Sequence, residues 1–192
     1  MDVRTDHVVR TQAELREIVG DSHPAVWLKE APRVDDVAAA FVAASPLVFV
    51  GTSGPDGAVT VTPRGGEPGS VRVLDDGRRL ALAERPGNRR VDTLRNVLEN
   101  PAVGLAFCVP TVLHVLRVHG TARIVTDPDV LGLWDDPPPL ALVVDVDDTY
   151  VHCGRALKMS GVWEPDGWGN ADGVPGLKRM ADAARATRPD AG

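Results

Sequence analysis

Three guanidinium groups fall within Arg85-Pro86-Gly87-Asn88-Arg89-Arg90, directly ahead of a segment with helical spacing. Asn88 is a favoured N-cap type, and Val91, Leu94 and Leu98 share one helical face before Asn100-Pro101, so the spacing predicts a short helix starting near Arg89. The free N–H groups and positive dipole end of such a helix attract an anion, and Arg89 and Arg90 add charge-assisted donors. A phosphate is the natural guest. The same pattern also suits a solvated helix start whose arginines pair with Asp92 or Glu84. A second cation stands nearby in sequence. Ala58 to Arg64 alternates as a strand, with Val59 and Val61 on one face and Thr60, Thr62 and Arg64 on the other. A returning strand at Leu80 to Ala83 leads into the basic segment, so Arg64 and Arg89 are placed to converge.

Other reactive residue types lack the spacing their chemistry needs. His7, His23, His114, His119 and His152 are scattered, which points to structural histidines and no metal site. Cys108 and Cys153 have no CxxC relation and read as ordinary thiols. Ser53, Ser70 and Ser160 lack a nucleophile-elbow motif. No catalytic side chain stands out, so in an enzyme the difficult step would fall to a bound cofactor.

Charge narrows the ligand class. The 192 residues carry 21 Lys and Arg against 27 Asp and Glu, a net of −6. Between Arg64 and Arg95, eight arginines face five acids, so this segment is +3 and the remainder −9. A basic pocket in an acidic protein suits a small anion; a nucleic acid or an anionic membrane needs a longer basic surface. No apolar run approaches the roughly 20 residues of a membrane span, and Met1 to Arg10 lacks a signal-type apolar core, so a cytoplasmic protein is expected.

The elements that must position these residues follow from periodicity. Thr11 and Glu14 have capping-box form ahead of Leu15, Ile18 and Val19, predicting a helix that ends at Gly20. A second helix is expected from Asp35 to Ala44, with Val37, Ala40, Phe41 and Ala44 inward. Strands follow at Leu47 to Thr52, Ala58 to Arg64, Val71 to Leu74 and Leu80 to Ala83, separated by the turns Gly54-Pro55-Asp56-Gly57, Gly65-Gly66-Glu67-Pro68-Gly69 and Asp75-Asp76-Gly77. Ala102 to Val109 carries large residues on one face and small ones on the other, so both faces need cover. Val112 to Val125 is a long strand with Arg117 and His119 on one face. A helix opens at Thr126-Asp127-Pro128 and runs to about Trp134, and Leu140 to Val146 is the last strand. Tyr150 to Trp163 gathers His152, Cys153, Arg155, Lys158 and Trp163, Leu177 to Thr187 reads as a helix, and Arg188 to Gly192 as a frayed end. Many short strands joined by hairpin turns, with one inserted helix, favour a closed antiparallel barrel.

This order of parts resembles the FMN-binding split-barrel family, the pyridoxamine 5′-phosphate oxidase-like proteins. The likeness is carried by Gly51-Thr52 through Asp56-Gly57, by Thr62-Pro63-Arg64-Gly65, by Arg85 to Arg90 with Leu98-Glu99-Asn100-Pro101-Ala102-Val103-Gly104-Leu105, and by Leu116-Arg117-Val118-His119-Gly120. It spans Val34 to Pro165 and is strongest toward a branch whose late signature reads here His152-Cys153-Gly154-Arg155-Ala156-Leu157. The resemblance implies a mainly β fold with flanking helices, a six-stranded antiparallel split barrel over residues 34–165. A helix and loop extension would precede it (1–33), and a loop, helix and tail would follow (166–192). It further implies a homodimer with FMN at the subunit interface and an FMN-dependent oxidoreductase acting on a small molecule. Thr62, Arg64, Asn88, Arg89 and Arg90 would hold the cofactor, with Lys158 and Trp163 reaching the flavin of the partner subunit. Ser70 and Arg89 depart from that branch, which carries an aromatic and an Asn there; Ser70 removes an apolar contact, whereas Arg89 favours a phosphate. The alternatives are a flavin carrier without turnover and a split barrel taking deazaflavin or haem, His114 and His119 mattering only for haem.

Overall fold

Alternation of β-branched and small residues, interrupted by glycine-rich turns, builds the larger part of the molecule as one antiparallel sheet. The computed structural model describes residues 7–169 and 172–187. The expected fraying of Arg188 to Gly192 therefore lies outside the described residues. The chain divides into two compact units, Met1–Gly154 and Arg155–Gly192.

The first unit begins with α1 (Gln12–Val19), capped by Thr11, whose Oγ1 accepts from the Glu14 N–H at 3.1 Å. Glu14 reaches back to accept from the Arg10 N–H at 2.7 Å, one residue beyond the Thr11 N–H of a reciprocal capping box. A 3₁₀ turn (Pro24–Lys29) and the two-residue β1 (Glu30–Ala31) lead to α2 (Asp36–Ala44), which Asp35 caps through the Ala38 N–H. Strands β2 (Leu47–Ser53), β3 (Val59–Gly65), β4 (Val71–Leu74) and β5 (Arg79–Glu84) precede α3 (Asp92–Glu99). Then come β6 (Ala102–Cys108), β7 (Val115–Val125), the short α4 (Pro128–Leu131) and β8 (Leu140–His152).

Neighbouring strands run in the order β3-β2-β6-β7-β8-β5-β4, with β1 paired to the far end of β8. The two ends of this order, β3 and β4, are consecutive in sequence. Gly65-Gly66-Glu67-Pro68-Gly69 parts them, so the sheet curls into a barrel that stays open along this seam, as a split barrel requires. The mainly β antiparallel class holds. Eight strands replace the six expected, because the glycine-rich break makes β3 and β4 separate ladders and β1 adds a short pairing. β8 continues to His152, six residues past the expected end, since Thr149 and Tyr150 pair with β1 and Val151 and His152 with the start of β7.

Val42, Val50, Leu80, Leu105, Phe107, Val118 and Val144 fill the barrel interior at no more than 2% exposure. β8 is covered on both faces: Leu142 and Val144 join that interior, while Ala141 and Val143 pack under Trp134 beside α4. The turn at Gly77 has φ of 80° and lies against the Val34 backbone, which donates to its carbonyl at 2.9 Å; a Cβ there would overlap Val34. The second unit comprises α5 (Arg155–Ser160), a 3₁₀ turn (Pro165–Gly167) and α6 (Leu177–Ala186), with the Trp168 indole donating to the Gly161 carbonyl at 2.9 Å.

Candidate functional site

Thr60, Thr62 and Arg64 lie on one face of β3, and this polar face turns inward while Val59 and Val61 point out at 71% and 64% exposure. The inversion follows from what α3 brings. Asn96 donates to Thr52 Oγ1 and Thr60 Oγ1, both at 3.0 Å, those two hydroxyls bond each other, and Thr93 donates to Thr62 Oγ1 at 3.3 Å. A polar strand face can turn inward, half-buried, because a polar helix face satisfies it. α3 accordingly buries Thr93, Leu94 and Val97, and Leu98, expected inward, is 74% exposed.

The helix start also differs from expectation. α3 begins at Asp92 with Val91 as its N-cap residue and without a side-chain cap. Asn88 instead closes a local turn, its Oδ1 accepting from the Arg90 N–H at 3.0 Å. Arg89 and Val91 take left-handed backbone conformations, φ of 61° and 51°, so the chain kinks twice before entering the helix. The first-turn N–H groups of α3 are thereby left for another acceptor.

Two cavities open in this region. The smaller, about 330 Å³, has Thr62, Arg64, Asn88, Arg89 and Arg90 in its wall together with the start of α3. The larger, about 370 Å³, is floored by Val48, Val50, Leu82 and Leu142 and walled by the loop from Gly65 to Ser70, Arg72, Trp134 and Asp136. Arg64, Glu84, Arg85 and Thr93 belong to both. Arg64 and Arg89 thus meet at one cavity, as their sequence positions foretold.

Ion pairs divide the cations. Arg64 Nη1 lies 2.7 Å from Glu84 Oε2, the two side chains 28% and 19% exposed. Arg85 pairs with Asp136 at 2.7 Å and Arg90 with Asp92 at 2.8 Å. Among the described residues Arg89 and Arg72 have no acidic partner, and Arg72 Nε is buried without an acceptor. Buried orphan donors are uncommon and mark a place where a ligand oxygen would be welcome. Trp134 closes the larger cavity by donating from its indole to the Ser70 carbonyl at 3.0 Å, so an aromatic ring stands beside the position where Ser70 itself supplies none.

Lys158 and Trp163 lie in the second unit, Lys158 on α5 and Trp163 just after it. Of the residues lining the cavities, Glu84 was legible only as a partner for the arginines, and Arg72, Thr93 and Trp134 were not singled out. Arg72 carried one signal, a charge flanked by valines in a short strand. Trp134 carried none, since it arrives from an insertion distant in sequence. His119 is held between Arg117 and Asp148, its Nε2 accepting from Arg117 at 3.0 Å and its Nδ1 donating to Asp148 at 2.9 Å. His114 packs on Phe41, ring centroids 5.1 Å apart. Among the described residues no cluster of His, Cys, Asp and Glu is arranged to hold a metal ion.

Known proteins share this fold. A HupZ variant from Group A Streptococcus superposes with a TM-score of 0.51 at 19% identity, covering 62% of this chain and 98% of that one. A protein from Lactobacillus delbrueckii assigned as a pyridoxamine 5′-phosphate oxidase gives 0.50 at 21% identity, covering 62% and 95%. At such identities the likeness shows the fold. No curated protein matches by sequence. The model of the pyridoxamine 5′-phosphate oxidase family matches residues 34–153, which takes in β2 to β8 and both cavities, and the chain belongs to that family.

Proposed function

We propose that the chain is an FMN-binding oxidoreductase of the cytoplasm that works on a small molecule as a homodimer. The observation that carries this reading is the pair of joined cavities, one ringed by Arg64, Arg89 and the uncapped start of α3, the other floored by aliphatic side chains. A phosphate suits the first and a flat apolar ring the second, with Arg64, Glu84, Arg85 and Thr93 lining the passage between. When bound, the flavin would supply the hydride or electron transfer. The protein's residues would fix its position and exclude water from the ring. Thr62 and Asn88 would contribute at the phosphate end, and Arg90, held by Asp92, would add charge at the rim.

The homodimer is supported by the outer face of the sheet. Val61, Gly51, Gly104, His119 and Asp148 stand in register across five strands, beside the parallel row Pro63, Phe49, Ala106, Arg117 and Tyr150. The small residues of β6 were expected to need cover, and Gly104 and Ala106 are only half-buried in the single chain. A second copy laid on this face would complete their burial. Lys158 and Trp163 are proposed, through the family resemblance, to approach the flavin of the partner subunit.

The test is an absorbance spectrum of the purified protein, followed by anaerobic NADH or NADPH. A flavin spectrum that bleaches supports the oxidoreductase. Persistent colour supports a carrier instead, a deazaflavin or haem spectrum replaces FMN, and failure to take up added FMN refutes the reading.

A further inference from the structure

Glu84 ends β5, where its backbone is paired with Leu140 of β8, and its side chain crosses the open seam of the barrel to β3. There it holds Arg64 at 2.7 Å in the passage shared by both cavities. Arg89 and Arg72, lining the same cavities, have no acid beside them among the described residues. Of the two arginines that line both chambers, Arg85 is paired with Asp136, which lines only the larger, and Arg64 is held by Glu84, the one carboxylate among the described residues that lines both. Its Oε2 holds the place on Arg64 Nη1 that an anionic oxygen of a ligand would need.

We propose that Glu84 determines the specificity of the site: it is a built-in anion that an incoming group must displace from Arg64. A monocarboxylate would exchange like for like and still bear the entropic cost of association. A phosphate dianion carries more charge and three acceptor oxygens, enough to engage Arg64, Arg89 and the first N–H groups of α3 together. The displaced Glu84 stays close to the phosphate, so its negative charge works against every ligand held there. Wild-type affinity is the balance of these two effects, and the site favours phosphate-bearing ligands over carboxylates. This inference rests on reading the cavities as the site of a phosphate-bearing ligand.

The experiment measures FMN affinity by fluorescence quenching, and the rise in melting temperature with inorganic phosphate or acetate at matched ionic strength. The proteins are wild type, Glu84→Gln and Glu84→Asp. Glu84→Gln should bind FMN at least about tenfold more tightly, because both competitor and like-charge repulsion are gone. Glu84→Asp, which keeps the charge, should stay close to wild type. Wild type should be stabilised by phosphate and not by acetate. Unchanged or weaker FMN binding by Glu84→Gln overturns the proposal and makes Glu84 a ligand contact or a strut. Should that variant not fold, equal stabilisation of wild type by acetate and phosphate overturns it, and selectivity for phosphate sustains it. Wild type binding phosphate but not FMN refutes the flavin reading; tighter phosphate binding by Glu84→Gln than by wild type then sustains the Glu84 role, and unchanged or weaker phosphate binding overturns it. Wild type binding FMN with no gain in Glu84→Gln refutes the Glu84 role and leaves the flavin reading standing.

Discussion

Arg64 and Arg89 differ in the company they keep. Arg64 is engaged by Glu84, so its transfer to a ligand replaces one charged bond by another, whereas Arg89 has no acid to give up among the described residues. Arg64→Ala should still weaken FMN binding by about 1.5–3 kcal/mol, the worth of a charge-assisted hydrogen-bond set; an unchanged dissociation constant would remove Arg64 from the site. The two thiols differ as sharply. Burial pushes the Cys108 thiol above its ordinary value and keeps it protonated, whereas Cys153 is exposed. A thiol reagent at neutral pH should therefore modify Cys153 within the folded protein and reach Cys108 only after denaturant is added. Equal labelling of both in the native state would contradict the buried placement of β6.

At the level of elements, the approach to α3 concentrates strain beside the proposed phosphate. Val91 is β-branched and sits at φ of 51°, a conformation in which its Cβ crowds the backbone. Val91→Gly should relieve that crowding and stabilise the fold by about 1 kcal/mol in urea unfolding, the gain being reduced by the extra freedom of glycine in the unfolded chain. Loss of stability would mean that Val91 packing outweighs the strain. A different device ties β5, β8 and β7. Asp145 on β8 accepts from Arg79 on β5 at 2.8 Å and from Arg123 on β7. Burial pushes its carboxyl up, but the hydrogen bonds and charges of Arg123 and Arg79 outweigh that and leave it below its ordinary value of 3.8. A lowered folded value stabilises the protein fully above the unfolded value, and the contribution disappears as pH falls through the folded one. The melting-temperature gap between wild type and Asp145→Asn should thus be constant near neutrality and close below about pH 3.8; a gap that widens on acidification would reverse the assignment.

For the whole molecule, the surface proposed to form the dimer is the outer face of β3, β2, β6 and β7. It carries exposed Val59, Val61 and Phe49 around the small residues Gly51, Gly104 and Ala106. Phe49→Glu places a charge at the centre of that face, where like charges would meet across a two-fold axis. It should convert a sedimenting dimer into a monomer and lower FMN retention with it. A dimer that survives the substitution would move the interface elsewhere. No helix among the described residues is long and apolar enough to cross a membrane.

Local order was written in the sequence. Alternation and apolar runs marked β2 to β8, glycine and proline marked the turns, and the capping form of Thr11 and Glu14 marked a helix start, because each of these preferences acts over a few neighbouring residues. The convergence of Arg64 and Arg89 on one cavity was legible for the same reason, since β3 and the helix start are joined by one hairpin. Tertiary structure decided the rest. Asn88 does not cap α3 because its side chain is engaged in a local turn with the Arg90 N–H, and Leu98 faces outward because Asn96 and Thr93 meet the threonines of β2 and β3. The pairing of Arg64 with Glu84, the orphaned Nε of Arg72 and the arrival of Trp134 over Ser70 depend on side chains from separate strands meeting across an open barrel. Such meetings are set by how the sheet curls, and no local preference encodes them.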